Sequence, residues 1–249
     1  MIKRKKELVE YARRLKLASL AEHMTEIIHE AQEKQPTYSE FLFSCLAKEV
    51  GERDRKSFLS RIKVAGLPAR HTLDEYDFNR TEGLDGRQLR ELRELTWMSR
   101  AYNLLLVGGP GTGKTFIASG LVHEAVKEGY NAALISLEDL LVCLKTKDVS
   151  RHAMKTYKRI MKARLLAIDN VTLYPLKRED MLLLFNTLQE KVSLIIIANR
   201  GLAEWLEELG DEAVAAALLD RLLYCCEVIN LSGKSYRLEN RKTIFSNQT

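Results

Sequence analysis

The segment Gly108-Gly109-Pro110-Gly111-Thr112-Gly113-Lys114-Thr115 has the pattern G-x-x-x-x-G-K-T, which is typical of a phosphate-binding P-loop. Before it, residues 103–107 form an apolar run that predicts a strand, and after it apolar side chains recur at helical spacing from Phe116 onward. In this context the glycines let backbone N–H groups turn inward around a polyphosphate, and the helix adds the positive end of its dipole. Residues 108–116 are therefore predicted to bind a nucleotide.

Three side chains predict that the nucleotide is ATP with Mg²⁺. Lys114 is expected to reach the β- and γ-phosphates, and the Thr115 hydroxyl is expected to ligate the metal. Residues 164–169 form an apolar strand that ends in Asp169, the pattern known as Walker B. A strand that ends in Asp is common by itself, but its position after the P-loop favours a carboxylate that shares the metal with Thr115.

The residue after this aspartate is unusual for an ATPase. Such enzymes usually carry Glu or Asp there to orient and deprotonate the attacking water, whereas this chain has Asn170. An amide can position water but cannot accept its proton at neutral pH. Two explanations stay open: natural divergence, with another group helping, or an introduced carboxylate-to-amide change that traps bound ATP. Both predict that ATP still binds and that hydrolysis is slow.

Two further residues are candidates for the hydrolysis step. Asn199 ends the apolar run 195–198 and is expected to lie beside the γ-phosphate, although Asn is also a common turn former at strand ends. Arg221 lies in an apolar helical stretch and could act as an arginine finger on a neighbouring subunit's ATP. The alternative for Arg221 is a surface ion pair with Asp220 or Glu227. Arg237 is a weaker second candidate for the finger.

The order of the predicted elements indicates an α/β fold. From Asn103 onward apolar strands alternate with helices, which is typical of a parallel sheet covered on both faces, here a P-loop NTPase domain. The predicted strands are 103–107, 132–136, 164–169, 193–198 and 227–231. The predicted helices are 114–128, 138–146, 151–163, 178–190, 203–208 and 213–222.

The first part of the chain is predicted to be a separate, all-helical domain. Apolar residues recur at helical spacing between Leu8 and Ile28, a second helix is expected to end at Val50, and a third covers 52–65. Residues 73–85 are expected to form an irregular linker, and a lead-in helix follows over 88–98. The predicted domains are therefore 1–70, a helical domain; 71–100, the linker and lead-in helix; and 101–249, the ATPase domain.

The sequence predicts a cytoplasmic protein and argues against several classes of site. Hydrophobic residues make up 46% of the 249 residues and charged residues 29%, which is ordinary for a globular protein. The sequence has no apolar run long enough to span a membrane and no secretory signal, so no membrane partner is expected. The four cysteines lack C-x-x-C spacing and are expected to be reduced. Zinc-ligand spacing is also absent from the sequence.

A run of basic residues predicts contact with DNA. Between residues 145 and 164 the only acid is Asp148, whereas the basic residues are Lys145, Lys147, Arg151, Lys155, Lys158, Arg159, Lys162 and Arg164. On a helix, five of them share one face: Arg151, Lys155, Lys158, Arg159 and Lys162. Met154, Tyr157 and Met161 are expected to point toward the domain body. Phosphates would remove the repulsion between these like charges, so duplex DNA is favoured over a merely solvated face.

Taken together, these motifs resemble the IstB family of AAA+ ATPases, the transposition helper proteins of bacterial insertion sequences and relatives of the DnaC helicase loaders. Besides the P-loop, Asp169 and Asn199, the resemblance rests on segments throughout the chain, from Leu15–Met24 and Ala65–Pro68 to Trp205, and on three longer blocks of sequence. They are Leu73-Asp74-Glu75-Tyr76-Asp77-Phe78, Leu219-Asp220-Arg221-Leu222 and Gly233-Lys234-Ser235-Tyr236-Arg237-Leu238. The last block, following Asp-Arg-Leu, is far more discriminating than the P-loop, which many families share.

The resemblance implies a function for the chain. Members of the family assemble with ATP into homo-oligomers on duplex DNA, select the target, and recruit or stimulate a partner transposase. A helicase loader of the DnaC type is the first alternative. A small-molecule kinase is the second, but it would need an arginine-bearing lid, and Asn199 and the basic run argue against it.

Overall fold

The computed structural model describes residues 2–69, 72–171, 179–180, 183–184, 192–199, 216, 220, 223–239 and 241. The chain divides into two compact units, Met1–Ser60 and Arg61–Thr249. Within the described residues no helix combines the length and the apolar character that a membrane span requires.

Three helices make up the first unit. They are α1 (Ile2–Arg14), α2 (Ala18–Lys34) and α3 (Tyr38–Ala65), whose last residues, from Arg61 on, belong to the second unit. A small core of Ala12, Leu20 and Ile27 holds α1 and α2 together. The helical spacing between Leu8 and Ile28 did not indicate the break between these helices, where Lys16 has a left-handed φ of 59°.

The separate helices predicted before and after Gly51 are one continuous helix, so that prediction was wrong. Gly51 is exposed, and a Cβ added there would meet nothing within 4 Å. A glycine inside a helix costs only about 1 kcal/mol relative to alanine. Ion pairs within α3, Arg53 with Glu49 at 3.0 Å and Arg55 with Glu52 at 2.9 Å, support the helix through this point.

Glu49 joins α3 to the start of α2. The Glu49 side chain is buried and accepts hydrogen bonds from the Leu20 backbone N–H at 3.1 Å and from Arg53 Nε at 3.0 Å. The N-cap residue of α2 is Leu17, which provides no side-chain hydrogen bond, so the carboxylate satisfies the helix end instead. Burial alone would raise the pKa of Glu49, but these hydrogen bonds and the Arg53 charge together hold that pKa below its usual value.

The second unit is built on a six-stranded sheet. The strands are β1 (Thr81–Glu82), β2 (Asn103–Gly108), β3 (Ala132–Ser136), β4 (Leu165–Val171), β5 (Ser193–Ala198) and β6 (Cys226–Gly233). Their order is β1-β6-β2-β5-β4-β3, with β1 antiparallel to β6 and all other neighbours parallel. The five predicted strands are confirmed, because strands buried on both faces are nearly continuous apolar runs in the sequence. The short β1 lies in the segment that was predicted to be irregular.

The described helices of this unit are α4 (Gly86–Arg93), α5 (Lys114–Lys127), α6 (Leu137–Thr146), α7 (Arg151–Met161) and α8 (Tyr236–Glu239). Three of them match the helices predicted at 114–128, 138–146 and 151–163. The predicted helix 203–208 lies outside the described residues, and only isolated residues, all helical, are described within 178–190 and 213–222.

The lead-in helix is shorter than predicted. Asp85 caps α4 by accepting the Gln88 backbone N–H, and the helix ends at Arg93 rather than Met98. Leu95 then adopts a left-handed φ of 57°, and a 3-10 turn follows over Thr96–Arg100. The Trp97 indole donates to the Leu92 carbonyl at 2.9 Å, so a side chain from the next turn takes an acceptor that a longer helix would use.

The linker before α4 is fixed to the P-loop helix α5. Leu73 packs so closely on Gly120 that a Cβ added to this glycine would lie 2.3 Å from Leu73 Cγ. Arg93 adds ion pairs to Asp74 at 2.7 Å and to Glu124, which lies on α5, at 3.2 Å. These contacts set the position of the residues that follow Leu73, which form one wall of the site.

We expect Glu49→Gln to lower the free energy of unfolding by about 1–3 kcal/mol at pH 7, because the buried hydrogen bonds lose a charged acceptor. A depressed pKa stabilises the fold above the unfolded-state value of about 4.3 and ceases to do so as the pH falls through the folded-state pKa. The difference between wild type and variant should therefore shrink as the pH is lowered from 7 to 3 in urea unfolding. The control is Glu22→Gln, at an exposed position on α2. Equal stability of wild type and Glu49→Gln at pH 7 would contradict the assignment.

Gly120→Ala should destabilise the second unit by about 1–3 kcal/mol, because the new methyl group overlaps Leu73. Urea unfolding of the full chain measures this loss, and adding Leu73→Ala should recover part of it. Gly51→Ala is the matched control, since its methyl group meets open space and should be neutral or stabilising. If Gly120→Ala were as stable as Gly51→Ala, the close packing described above would be disproved.

Candidate nucleotide-binding site

The P-loop joins β2 to α5 and is supported from behind by the segment after β6. Gly111 has a left-handed φ of 81°, and a Cβ added there would lie 2.2 Å from Ser235 Oγ. The Tyr236 backbone N–H donates to the Gly111 carbonyl at 3.1 Å. Within the loop, Thr112 Oγ1 donates to the Gly109 carbonyl at 2.9 Å. The discriminating sequence block 233–238 is thus the segment that braces the loop.

The loop opens onto a cavity of about 300 Å³. Its lining includes every predicted binding residue of the loop from Pro110 to Phe116, namely Pro110, Gly111, Thr112, Gly113, Lys114, Thr115 and Phe116. Gly108 and Gly109 instead hold the lysine of the loop: their carbonyl groups accept hydrogen bonds from Lys114 Nζ, both at 2.7 Å. The size of the cavity and its glycine-rich wall fit a nucleotide.

The surroundings of Lys114, the lysine of the loop, shift the pKa of its ammonium group. Lys114 is buried, and burial lowers the pKa of its ammonium group. The nearby Asp169 carboxylate acts in the opposite direction, whereas the positive charge of Arg237 lowers this pKa further. Two cations that face the same cavity repel each other, and phosphate oxygens between them would remove that repulsion.

Thr115 and Asp169 meet as predicted. Thr115 Oγ1 donates to Asp169 Oδ2 at 2.9 Å, although the two residues are far apart in the sequence. Hydroxyl and carboxylate oxygens are the hard ligands that Mg²⁺ prefers, and Mg²⁺ usually takes only one or two protein ligands besides phosphate and water. This pair therefore fits the predicted metal. The described residues contain no cluster of three or more His, Cys, Asp or Glu side chains that could hold another ion.

Asn170 lies at an irregularity in β4. Its φ is 51°, its backbone N–H donates to Asp169 Oδ1 at 2.6 Å, and the pairing of β4 with β5 shifts between Ile168 and Val171. Asn and Asp tolerate this left-handed conformation better than other residues with a side chain. The left-handed backbone at this position therefore favours Asn170 for a structural reason that the sequence alone did not reveal, and the same φ also suits Asp.

Of the other residues predicted to act in hydrolysis, Asn199 and Arg237 line the cavity. Asn199 follows β5, which lies between β2 and β4 in the sheet, and lines the cavity together with Asp169 and Asn170. Arg237 lines the same cavity, so it faces the nucleotide site of its own chain. Arg221 lies outside the described residues.

One wall of the cavity was missed by sequence reasoning. It consists of linker residues, which were predicted to be irregular, and its centre is Tyr76. The Tyr76 ring stacks on Phe116 with centroids 6.3 Å apart, and its hydroxyl shares a hydrogen bond with Thr81 Oγ1. Burial raises the pKa of Tyr76. The sequence signal was available in the block 73–78, but nothing in its pattern indicated contact with the P-loop.

Arg80 closes this wall against the segment after β6. Its guanidinium lies 5.3 Å from the centre of the Tyr236 ring and forms ion pairs with Asp77 at 2.8 Å and with Glu239 at 3.0 Å. All of these residues except Glu239 line the cavity. The cavity therefore has a phosphate end of glycines and cations and an aromatic end that suits the flat ring of a base.

The basic residues of α7 are mostly on the surface. Ser150 caps the helix by accepting the Ala153 backbone N–H, and four of the predicted DNA-contacting residues are exposed: Arg151, Lys155, Lys158 and Lys162. Lys145 is ion-paired with Asp180 at 2.7 Å. Lys147 lies over the Tyr157 ring, 4.5 Å from its centre, so its charge is partly engaged.

Arg159 does not share the exposed basic face, which corrects the prediction. The side chain is half-buried and donates to the Val64 carbonyl near the end of α3, and burial lowers its pKa. A guanidinium near the end of a helix is favoured because it satisfies a terminal carbonyl group. Met161, which was expected to point into the domain, is 49% exposed instead.

Comparisons with known proteins agree with this site. The sequence profile of the family described as IstB-like ATP binding protein matches residues 10–244. An IS21-like insertion-sequence ATP-binding protein of Bacteroides fragilis is 70% identical, covering 100% of this chain and 95% of the relative. An IS21 insertion-sequence ATP-binding protein of Pseudomonas aeruginosa is 35% identical, over 92% of this chain and 88% of the relative.

A solved structure shares the fold. The crystal structure of the DnaC helicase loader superposes with a TM-score of 0.52 at 20% identity, covering 66% of this chain and 98% of the loader chain. The match supports the P-loop AAA+ fold and, at this identity, nothing finer. With a family profile that spans nearly the whole chain and a relative at 70% identity, the chain belongs to the IstB-like ATP-binding proteins of insertion sequences.

Proposed function

We propose that this chain is an ATP-controlled DNA-binding helper of transposition. It binds ATP with Mg²⁺, assembles into an oligomer on duplex DNA, selects the target, and recruits or stimulates the partner transposase. The observation that carries this proposal is one folded unit that combines the P-loop cavity with the exposed basic face of α7. The names of the relatives, which place them in insertion sequences, support the transposition role.

ATP binding is assigned to the residues that line the cavity. Lys114 and Arg237 would hold phosphate oxygens, and the loop N–H groups would complete the cradle. Thr115 and Asp169 would hold Mg²⁺, which, when bound, neutralises charge on the phosphates. Tyr76 and Phe116 would contact the base.

Hydrolysis is proposed to be slow. The amides of Asn170 and Asn199 would orient the water, but neither can take its proton. ATP would then stay bound for long periods, and the nucleotide would act as a latch that holds subunits on DNA. Arg221 remains our candidate for a finger that completes a neighbour's site.

DNA binding is assigned to the exposed face of α7. Arg151, Lys155, Lys158 and Lys162 repel one another unless phosphates lie opposite them. Lysines and arginines that meet only the backbone carry no base-specific information, so target choice would depend on DNA shape and deformability. Lys145 and Lys147 are assigned weaker contacts, because each already has a partner within the protein.

Self-assembly is supported by apolar residues on α3 in the first unit. Tyr38, Leu42, Phe43, Leu46 and Val50 are all exposed. Exposed aromatic and aliphatic side chains grouped on one helix mark a protein interface. A second copy of this chain is the occupant that an ATP-dependent oligomer requires.

The helicase-loader alternative rests on the fold shared with DnaC, at 20% identity. Fluorescence anisotropy of a labelled duplex separates the two functions. We expect tight binding with ATP, weak binding with ADP, and none with Lys114→Ala, all without a helicase. Binding that required a replicative helicase would favour the alternative and overturn the proposal.

Asn170→Asp should raise the rate of phosphate release by about 10²-fold or more, since a carboxylate can serve as general base. The backbone should keep its conformation, because Asp also tolerates a left-handed φ. Phosphate release with ATP and duplex DNA measures this, and Asn170→Gly controls for the backbone. If the protein with Asn170 already released phosphate as fast as Asn170→Asp, the proposal that ATP stays bound for long periods would be wrong.

The double variant Lys155→Ala/Lys158→Ala should weaken duplex binding at every sequence. It should also make the negative slope of log K against log salt shallower by about 1.8, corresponding to two lost phosphate contacts. Titrations between 50 and about 200 mM salt give the slope. Arg87→Ala, which removes an exposed arginine on α4, is the control and should change neither quantity. An unchanged slope in the double variant would remove α7 from the DNA interface.

A further inference from the structure

We infer that Arg80 is a positioning residue that directs Arg237 onto the outer phosphates of bound ATP and thereby makes the site prefer ATP to ADP. Arg80 belongs to the linker wall and acts through α8, the one-turn helix that carries Arg237. This role rests on the proposed binding of phosphate by Arg237. It adds the residue that sets the direction of that side chain.

The Arg80 guanidinium joins two segments that are distant in the sequence. Its Nε donates to Asp77 Oδ2 at 2.8 Å, and its Nη1 donates to Glu239 Oε2 at 3.0 Å. The guanidinium also lies 5.3 Å from the centre of the Tyr236 ring. Asp77 is held in turn, because its Oδ1 accepts the Asn79 backbone N–H at 3.0 Å. The linker therefore holds a fixed guanidinium against one face of α8.

The backbone brings the linker close to α8. Thr81, the residue after Arg80, pairs with Gly233 at the end of β6. Gly233 has a φ of 130°, and a Cβ added there would lie 2.4 Å from the Arg80 carbonyl oxygen, so a side chain would push the segments apart. The Tyr236 backbone N–H donates to the Gly111 carbonyl. The start of α8 therefore contacts the P-loop and the linker at once.

The geometry of a helical turn passes these contacts on to Arg237. Tyr236 and Glu239, which both contact Arg80, are three residues apart and share one face of the turn. Arg237 lies one residue after Tyr236 and two before Glu239, and side chains at those spacings point in different directions. The two contacts therefore set the rotation of α8, and with it the direction of Arg237.

That direction is toward the outer phosphates. Arg237 lines the cavity, and its positive charge lowers the pKa of Lys114. It therefore lies near the lysine that is expected to reach the β- and γ-phosphates. A guanidinium at this point can bind an oxygen that ATP has and ADP lacks, so its direction decides how well the site separates the two nucleotides.

The charge of Arg80 also keeps Arg237 available for phosphate. Asp77 and Glu239 are both carboxylates, and each is neutralised by Arg80. Without that partner they would attract the Arg237 guanidinium and repel phosphate oxygens. The ion pairs are partly exposed, with 40% of the Arg80 side chain accessible, and such pairs contribute little to stability. Loss of Arg80 should therefore affect nucleotide choice more than unfolding.

The test is isothermal titration calorimetry of the full chain with ATP and with ADP, both with Mg²⁺. Arg80→Ala should weaken ATP binding about five- to tenfold and ADP binding about twofold or less, because ADP lacks the γ-phosphate. In the Arg237→Ala background, adding Arg80→Ala should cause no further loss, since no guanidinium is left to direct. Arg80→Lys keeps the positive charge and should recover part of the preference for ATP.

Arg87→Ala, which removes an exposed arginine of α4, is the matched control and should change neither affinity. Without nucleotide, hydrogen exchange in residues 233–239 should be faster in Arg80→Ala than in wild type, whereas thermal unfolding should be similar. If Arg80→Ala does not fold, Glu239→Gln, which weakens one of the ion pairs, should shift the ratio of ATP to ADP affinity in the same direction.

Three results would overturn the role of Arg80 alone. They are unchanged affinities in Arg80→Ala, equal losses for ATP and ADP, and a loss that adds to that of Arg237→Ala, which would mean that Arg80 contacts the nucleotide itself. A chain that bound ATP equally well with and without Arg237 would overturn the proposed phosphate contact. A wild-type chain that did not bind ATP would overturn the proposed function.

Discussion

The hydrogen bond from Thr115 to Asp169 is the contact on which the site depends. It joins the start of α5, the helix that follows β2 and the P-loop, to β4 near its carboxyl end. In the sheet, β5 separates β2 from β4. In a parallel sheet the carboxyl ends of all strands meet at one edge, so P-loop, Asp169 and Asn199 must converge there. Every other part of the site, from the aromatic wall to Arg237, is arranged around that edge.

Most residues at this edge could be predicted from sequence. Buried strands appear as uninterrupted apolar runs, and the polar residue that ends such a run, as Asp169 and Asn199 do, marks the strand's carboxyl end. The linker wall could not, since the contact of Tyr76 with Phe116 and the packing of Leu73 on Gly120 join segments that are distant in sequence and leave no periodic pattern. The direction of Arg159 was hidden for a similar reason. Helical spacing predicts that Arg159 lies beside Lys155 and Lys158. Its guanidinium instead donates a hydrogen bond to the Val64 carbonyl.

Asn170 shows how one residue can satisfy both a backbone and a catalytic constraint. The left-handed turn after Asp169 favours Asn or Asp, and its N–H contacts the Asp169 carboxylate that the metal would use. Asn at this position, compared with Asp, keeps the backbone geometry but cannot accept the proton of the attacking water. The proposed consequence is a protein in which bound ATP holds an assembled state, while a separate basic surface contacts DNA.

Electron microscopy of the protein with duplex DNA tests this account most directly, with ATP in one sample and ADP in the other. The account predicts closed oligomers on the DNA with ATP and dispersed protein with ADP, and Lys114→Ala should fail to assemble with either. The same particles on DNA in both nucleotide states, or no oligomer on DNA with ATP, would contradict the proposed role of the P-loop as an ATP-controlled latch.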